Sequence, residues 1–446
     1  MKKLFLLAFL MFLGNSVFAL DVVYPKSTKV TINANSTFFI GNTDSWLKIN
    51  GRNVKLHSSG AFAYVVSLKD GINTFVLESG ADKKTYVINK PFAQAVSKNS
   101  SSAEFVQYKY LKNYVVSGDN VPLRETPVDS GINRMSHFQK DIPLIVDGEK
   151  KGFYRVILND NAKAWVSKGD VTLVTDELIN NPAEIINYEY KQSKNYDTYV
   201  FDLDKKTPYV ITEGNPFRLT FYNVRNNPNS TYTFELPLRH KLFGYSGNFD
   251  GNKFILKIRK QPQNIKDLKI AIDPGHGGSE CGAISCFGDR EKDLNLAISK
   301  YLEKELKARG AYVIMTRKSD IYTGLRDRVN YANKEDAAML ISIHGNALPD
   351  CLDPNTHRGT SIYYYYNQSK PLADSILKHM TVIAGTQNDQ VRQGSLALVR
   401  NTNALSILIE VAYLINPDDS VLLKDENFQR KCAKAIADGI ENYIKN

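Results

Sequence analysis

Two rhythms of hydrophobic and polar positions divide the chain near residue 264. Before it, apolar side chains recur at every second position in short runs broken by Gly and Asn, the period of half-buried strands. Val65-Val-Ser-Leu68, Gly71-Ile-Asn-Thr-Phe75, Thr198-Tyr-Val-Phe-Asp-Leu203, Arg218-Leu-Thr-Phe-Tyr222 and Lys253-Phe-Ile-Leu-Lys-Ile258 all read this way. After it, short apolar runs alternate with longer amphipathic ones. Lys269 to Asp273 predicts a strand, and Glu291 to Arg309 a helix with Leu294, Ile298, Tyr301, Leu302 and Leu306 on one stripe, ended by Gly310. Further strands are expected at Ala311 to Thr316, Ala337 to Ile343, Thr360 to Tyr365, near Leu396 to Val399, and at Leu405 to Val411. Helices are expected at Leu325 to Lys334, Ser369 to Ala384 and Asn427 to Ile444. Strand alternating with helix implies an α/β domain with a mostly parallel sheet. The chain is therefore expected to be multidomain, with N-terminal all-β modules followed by this C-terminal domain.

The first nineteen residues obey neither rhythm. Lys2 and Lys3 precede the apolar run Leu4 to Leu13, and Val17-Phe18-Ala19 supplies small residues for cleavage. This predicts a signal peptide over residues 1–19 and an exported protein. The periplasm is the first expectation, secretion to the cell wall the second. No later apolar run is long enough to span a membrane. With 57 Lys and Arg against 47 Asp and Glu, the net charge of +10 favours a polyanionic partner. Export makes that partner an anionic wall or lipid rather than nucleic acid. Outside the cytoplasm Cys281, Cys286, Cys351 and Cys432 are free to pair, but spacing alone fixes no connectivity, and buried thiols fit the sequence equally well.

Within the β region, residues 20–93 carry Trp46-Leu-Lys-Ile-Asn-Gly51 and Gly60-Ala-Phe62, and the segment resembles a small bacterial immunoglobulin-like sandwich. Residues 94–107, with Ser97-Lys-Asn-Ser-Ser-Ser-Ala103, have the polar composition of a linker. Residues 108–178 contain Asn120-Val-Pro-Leu-Arg-Glu-Thr-Pro127, Gly152-Phe-Tyr-Arg-Val156 and Ala164-Trp-Val166, and resemble a bacterial SH3-like barrel, in which Tyr154 and Trp165 line a peptide groove or fill the core. Residues 179–263 resemble the AMIN wall-targeting domain.

The chemistry lies in residues 264–446. In open α/β sheets, sites form beyond the carboxyl ends of the strands. Three predicted strands end in, or contain, reactive groups: Asp273-Pro-Gly-His276-Gly-Gly278, Ile341-Ser-Ile-His344-Gly-Asn-Ala347 and Ile407-Leu-Ile-Glu410-Val-Ala-Tyr413. Glu291 opens the first helix. Two imidazoles and one carboxylate, His276, His344 and Glu291, suit a catalytic zinc with one position left open. Glu291 alone would fit a helix N-terminus, and His344 alone a buried core position. Glu410 lies in a strongly apolar run, where an unpaired carboxylate is costly without a task. The other five histidines, His57, His137, His240, His357 and His379, are expected on surfaces or loops.

These motifs together resemble the zinc-dependent N-acetylmuramoyl-L-alanine amidases of the AmiC and LytC type, over about residues 267 to 446. The resemblance rests on Ile272-Asp-Pro-Gly-His-Gly-Gly278, Glu291, Thr316-Arg317-Lys-Ser-Asp320, Leu325 to Arg328, Ser342-Ile-His-Gly-Asn346 and Glu410-Val-Ala-Tyr-Leu-Ile-Asn416. Gly345 stands where the family usually has Ala, Ala412 where it has Gly, and Tyr413 where it has Phe. The resemblance implies Zn2+ held by His276, Glu291 and His344, Glu410 as the catalytic base, and peptidoglycan as the substrate, with a role in wall remodelling or daughter-cell separation. It leaves a protein activator open. The competing expectation is a non-catalytic peptidoglycan-binding protein on the same scaffold. Some family members carry a helix that blocks the zinc. Here the polar stretch Gly385 to Gly394 lacks the apolar stripe such a helix needs, so an open site is expected, with the accessory modules acting by localisation.

Overall fold

A computed structural model describes residues 20–92, 104–129, 131–175, 181–225 and 227–446. The expected signal peptide and most of the expected linker lie outside the described residues.

Alternation of apolar and polar side chains gives the N-terminal region its sheets, because successive residues of a strand face opposite sides. Asp21–Tyr24, Ser36–Asn42 and Ala61–Ser67 form one sheet; Lys29–Thr31, Asp82–Lys90, Gly71–Ser79, Leu47–Ile49 and Arg52–Val54 form a second. Phe39, Phe62, Leu77 and Ile88 fill the space between them. Seven antiparallel strands between Val106 and Val174 make the next unit, and strands between Ile185 and Arg259 make two further sheets. Val116, Leu144, Phe201, Phe221 and Phe254 join one continuous apolar cluster across the last two units. Strand periodicity shows which face is buried but not against what, so this shared core has no signature in the chain.

In the C-terminal domain the strands are β1 (Lys269–Pro274), β2 (Tyr312–Met315), β3 (Met339–Asn346), β4 (Thr360–Tyr364), β5 (Asn388–Gln393) and β6 (Leu405–Tyr413). The sheet order is β2-β1-β3-β6-β4-β5. All neighbours are parallel except β4 and β6. Helices α1 (Glu291–Ala308), α3 (Lys370–His379) and α5 (Glu426–Lys445) bury Leu302, Ile376 and Ile436 against one face. Helix α2 (Leu325–Lys334) covers the other with Ala332, beside Ala271 and Leu340. A short α4 (Pro417–Lys424), not foreseen from the sequence, starts at Asn416, whose side chain caps Asp418 and Asp419.

The last connecting strand also differs from expectation. It is Asn388–Gln393, not Leu396–Val399, which forms a turn. β5 is a sheet edge held by backbone pairing to β4, so hydropathy does not reveal it; Leu398 and Val399 are buried from a turn instead.

The accessory units are packed on this domain. The N-terminal sandwich contributes Phe38, Ile40, Ala61 and Ala63 to a cluster with Cys286 and Ile415. Thr37 donates to Asp350 at 2.6 Å and Asn42 to the Cys286 carbonyl at 3.0 Å. Phe243, fully buried in the C-terminal core, stacks on Tyr443 at 5.8 Å. A fragment beginning at residue 264 would lose that ring, so the division of labour between modules is less clean than localisation alone implies.

One junction is set for pH dependence. Glu213 accepts from the Gln368 amide at 2.9 Å, and burial pushes its carboxyl up to about 7, despite hydrogen bonds that oppose the shift. A carboxyl whose folded pKa exceeds its unfolded value stabilises fully below the unfolded value and loses that contribution as pH rises through the folded one. The urea midpoint of the wild-type chain should therefore fall between about pH 4.5 and 7 more steeply than that of Glu213→Gln. Parallel curves for the two proteins would contradict this assignment.

Candidate metal centre

β1 and β3 lie side by side and parallel, so their carboxyl ends reach the same edge. β1 runs into Gly275, His276, Gly277 and Gly278. His276 takes a left-handed φ of 59°, which turns the chain sharply off the sheet. Gly275 permits a close approach: a Cβ there would stand 2.3 Å from the His344 ring. β3 presents His344, whose ring centroid lies 5.0 Å from that of His276, edge to face. Glu291, at the first turn of α1, is 4 % exposed and sits between them. Its Oε1 is 3.2 Å from His276 Nε2 and 3.1 Å from His344 Nδ1. Ligand atoms from the three residues all fall within 4.8 Å of one another.

A frame of hydrogen bonds fixes Glu291. Its Oε2 accepts from the Ala283 amide at 2.9 Å, and its Oε1 from the Gly345 amide at 3.1 Å and from Asn295 Nδ2 at 3.2 Å. Burial alone would raise its pKa, but the two histidines hold it well below the usual carboxylate range. Gly345 is matched to its setting: a Cβ there would fall 2.2 Å from Leu414 Cδ1.

Glu410 stands on β6, opposite His344 in the β3–β6 register. Its Oε2 is buried and, among the described residues, has no hydrogen-bond partner. Burial pushes the carboxyl up to about 7, with His344 pulling the other way. All four residues singled out by the sequence thus meet at one sheet edge.

The structure adds a supporting layer whose role the sequence did not give. Arg328, 2 % exposed, donates to Asp273 Oδ1, the Pro274 carbonyl and the His276 carbonyl, each at 2.8 Å. Arg317, equally buried, donates to the carbonyls of Pro274 and Gly275 at 2.9 Å and of Lys292 at 2.7 Å. Asp273 also accepts from Thr316 and Ser342. Both arginines lie in motifs that carry the family resemblance, but their task, holding the His276 turn, depends on chain crossings invisible in one dimension. Asn295 holds Glu291 directly. Asn295→Ala is expected to lower metal affinity about 10- to 100-fold, the usual cost of losing a group that orients a ligand, read by competition with a fluorescent chelator.

Elsewhere the sequence expectations divide. Of the five histidines expected on surfaces or loops, His137 stands half-buried in the strand Arg134–Phe138 and His379 half-buried at the end of α3. Tyr154 packs on Tyr114 at 4.5 Å and Trp165 meets Phe105 edge-on at 6.0 Å. All four cysteines are free thiols, with Cys286 and Cys432 buried.

Residues 270–442 match the Amidase_3 family model, described as N-acetylmuramoyl-L-alanine amidase. The C-terminal part of the chain is therefore an amidase-3 domain, preceded by a large all-β region. The chain is 35% identical over 194 residues to the N-acetylmuramoyl-L-alanine amidase LytC of Bacillus subtilis, covering 42% of this chain and 38% of that protein. It is 33% identical over 203 residues to the probable cell wall amidase LytH of Staphylococcus aureus, covering 45% and 66%. Among solved structures, it is similar to the catalytic domain of CwlV from Bacillus (Paenibacillus) polymyxa var. colistinus, at 33% identity, 40% and 97% coverage and a TM-score of 0.37. The match to the curated relatives thus spans about two fifths and two thirds of their lengths. Among the described residues no helix is long and apolar enough to cross a membrane.

Proposed function

We propose that the chain hydrolyses the amide bond between N-acetylmuramic acid and the L-alanine of the peptidoglycan stem peptide, with zinc held by His276, Glu291 and His344 and with Glu410 as general base. The observation that carries the reading is the pairing of a convergent His-Glu-His donor set with a buried, unpartnered carboxylate on the neighbouring strand. The donor set fits zinc in kind, two imidazole nitrogens and one carboxylate oxygen. When bound, zinc supplies Lewis-acid chemistry, lowering the pKa of water and polarising a carbonyl.

The chain's own residues do the rest. Glu410 takes the proton of the attacking water on Oε2, the oxygen left without a partner, as attack proceeds on the lactyl carbonyl. Glu410 then returns that proton to the leaving L-alanine nitrogen. Arg317 and Arg328 hold the His276 turn, and Asn295 and the Gly345 amide hold Glu291. Export to the periplasm, or secretion to the wall, brings this site to its substrate. Full-length protein incubated with sacculi should release new amino groups that dinitrophenylation identifies as N-terminal alanine. Release of reducing sugar ends or of D-alanine instead would refute the reading.

A further inference from the structure

The accessory units and the amidase domain enclose a cleft of about 890 Å³ on the α2 side of the sheet. Strand Arg134–Phe138 contributes Arg134 and His137 to its wall, α2 contributes Arg326, and the turn before β6 contributes Arg400. The arrangement is electrostatically unusual. Among the described residues, neither Arg134 nor Arg400 has a carboxylate within ion-pair distance. Arg134 donates through Nη1 to His137 Nε2 at 3.1 Å, and its buried Nε has no partner. Arg400 donates only to the carbonyl and hydroxyl of Ser395, at 2.6 and 3.1 Å. Asp119 and Asp170 also line the cleft, but neither pairs with these arginines.

Two guanidinium groups gathered in one cleft, neither paired with a carboxylate, leave their mutual Coulomb repulsion only partly offset. The neighbourhood registers this. Burial, then Arg400 and Arg124, hold Arg134 below the ordinary arginine range. Burial, then Arg134, Arg400 and Arg124, push His137 down to about 3, so its imidazole is neutral at working pH. A neutral His137 accepts from Arg134 and aims the guanidinium while adding no charge of its own. Guanidinium forks match the geometry of carboxylate and phosphate oxygens.

We propose that this cleft is a binding site for an oxyanion, a carboxylate or a phosphate ester, held between Arg134 and Arg400. The site spans the accessory region and the amidase domain. It borders α2 and the turn that leads into the amino end of β6, so a bound ligand lies toward the end of the strands opposite the metal centre, where His344 and Glu410 face each other. The site itself stands on the arginine geometry; only the assignment of its anion to the wall polymer rests on the function proposed above.

Titration calorimetry on the full-length chain tests this with two probes: the tripeptide L-Ala-γ-D-Glu-L-Lys, which has carboxylates but no muramoyl amide to cleave, and inorganic phosphate. At least one probe should bind, and the one that binds identifies the chemical source of the anion. Arg134→Gln and Arg400→Gln should each weaken that binding about ten- to a hundredfold, the usual worth of a hydrogen bond to a charged group. Arg239→Gln, which removes an exposed arginine outside the cleft, should leave it unchanged. Arg400 lies in a turn, so its variant serves even where Arg134→Gln disturbs the strand. Failure of both probes to bind, or binding that survives both cleft variants, would overturn the proposal. Neither result would bear on the amidase reading, because neither probe is hydrolysed.

Discussion

Turnover of a soluble muropeptide should disappear when the protein is stripped with a strong chelator and return when zinc is added back. Glu291→Ala should reproduce the loss without a chelator. Glu291 is the hub of the centre, since one oxygen lies within 3.2 Å of both histidines. Removing it also strips the Gly345 and Ala283 amides of their acceptor. The expected drop is at least the roughly 100- to 1,000-fold that follows loss of one major electrostatic contributor. The N-terminal β units draw nothing from the centre for their cores, so their unfolding midpoints should be unchanged. Metal-free protein working at the normal rate would contradict the assignment of His276, Glu291 and His344.

Glu410→Gln should separate chemistry from metal binding. The substitution keeps the shape of the side chain and removes only its ability to carry the proton. General acid–base catalysis contributes about 100- to 10,000-fold, and a loss of that size in kcat is expected. Metal content, measured by inductively coupled plasma mass spectrometry, should be unchanged, because Glu410 lies outside the His-Glu-His set. Loss of metal from this variant would place Glu410 among the ligands. Near-normal kcat would remove it from proton transfer.

What the chain made legible follows a physical rule. His276, His344 and Glu410 stand in apolar strands or in the turn just after one, where a polar group has no structural excuse, and the parallel sheet brings those positions to one edge. Glu291 is a harder case, because an acid at a helix start is explained by the dipole alone; only its contacts with both histidines separate the two roles. Arg317 and Arg328 were visible as motif members but not as buried supports, since their partners are backbone carbonyls from a distant turn. The cleft formed by Arg134, His137 and Arg400 had no signal, because its walls come from separate folding units whose packing no local pattern encodes. Strand β5 escaped for a related reason: an edge strand is held by backbone pairing, and its side chains are largely polar.

The most direct measurement is digestion of purified peptidoglycan in water enriched in 18O, followed by mass spectrometry of the products. The proposed reaction predicts free stem peptides beginning with L-alanine, and one 18O atom on the lactyl carboxylate of the stripped muramic acid. Products that keep the muramoyl–alanine linkage, with 18O at a peptide or glycosidic break instead, would contradict it.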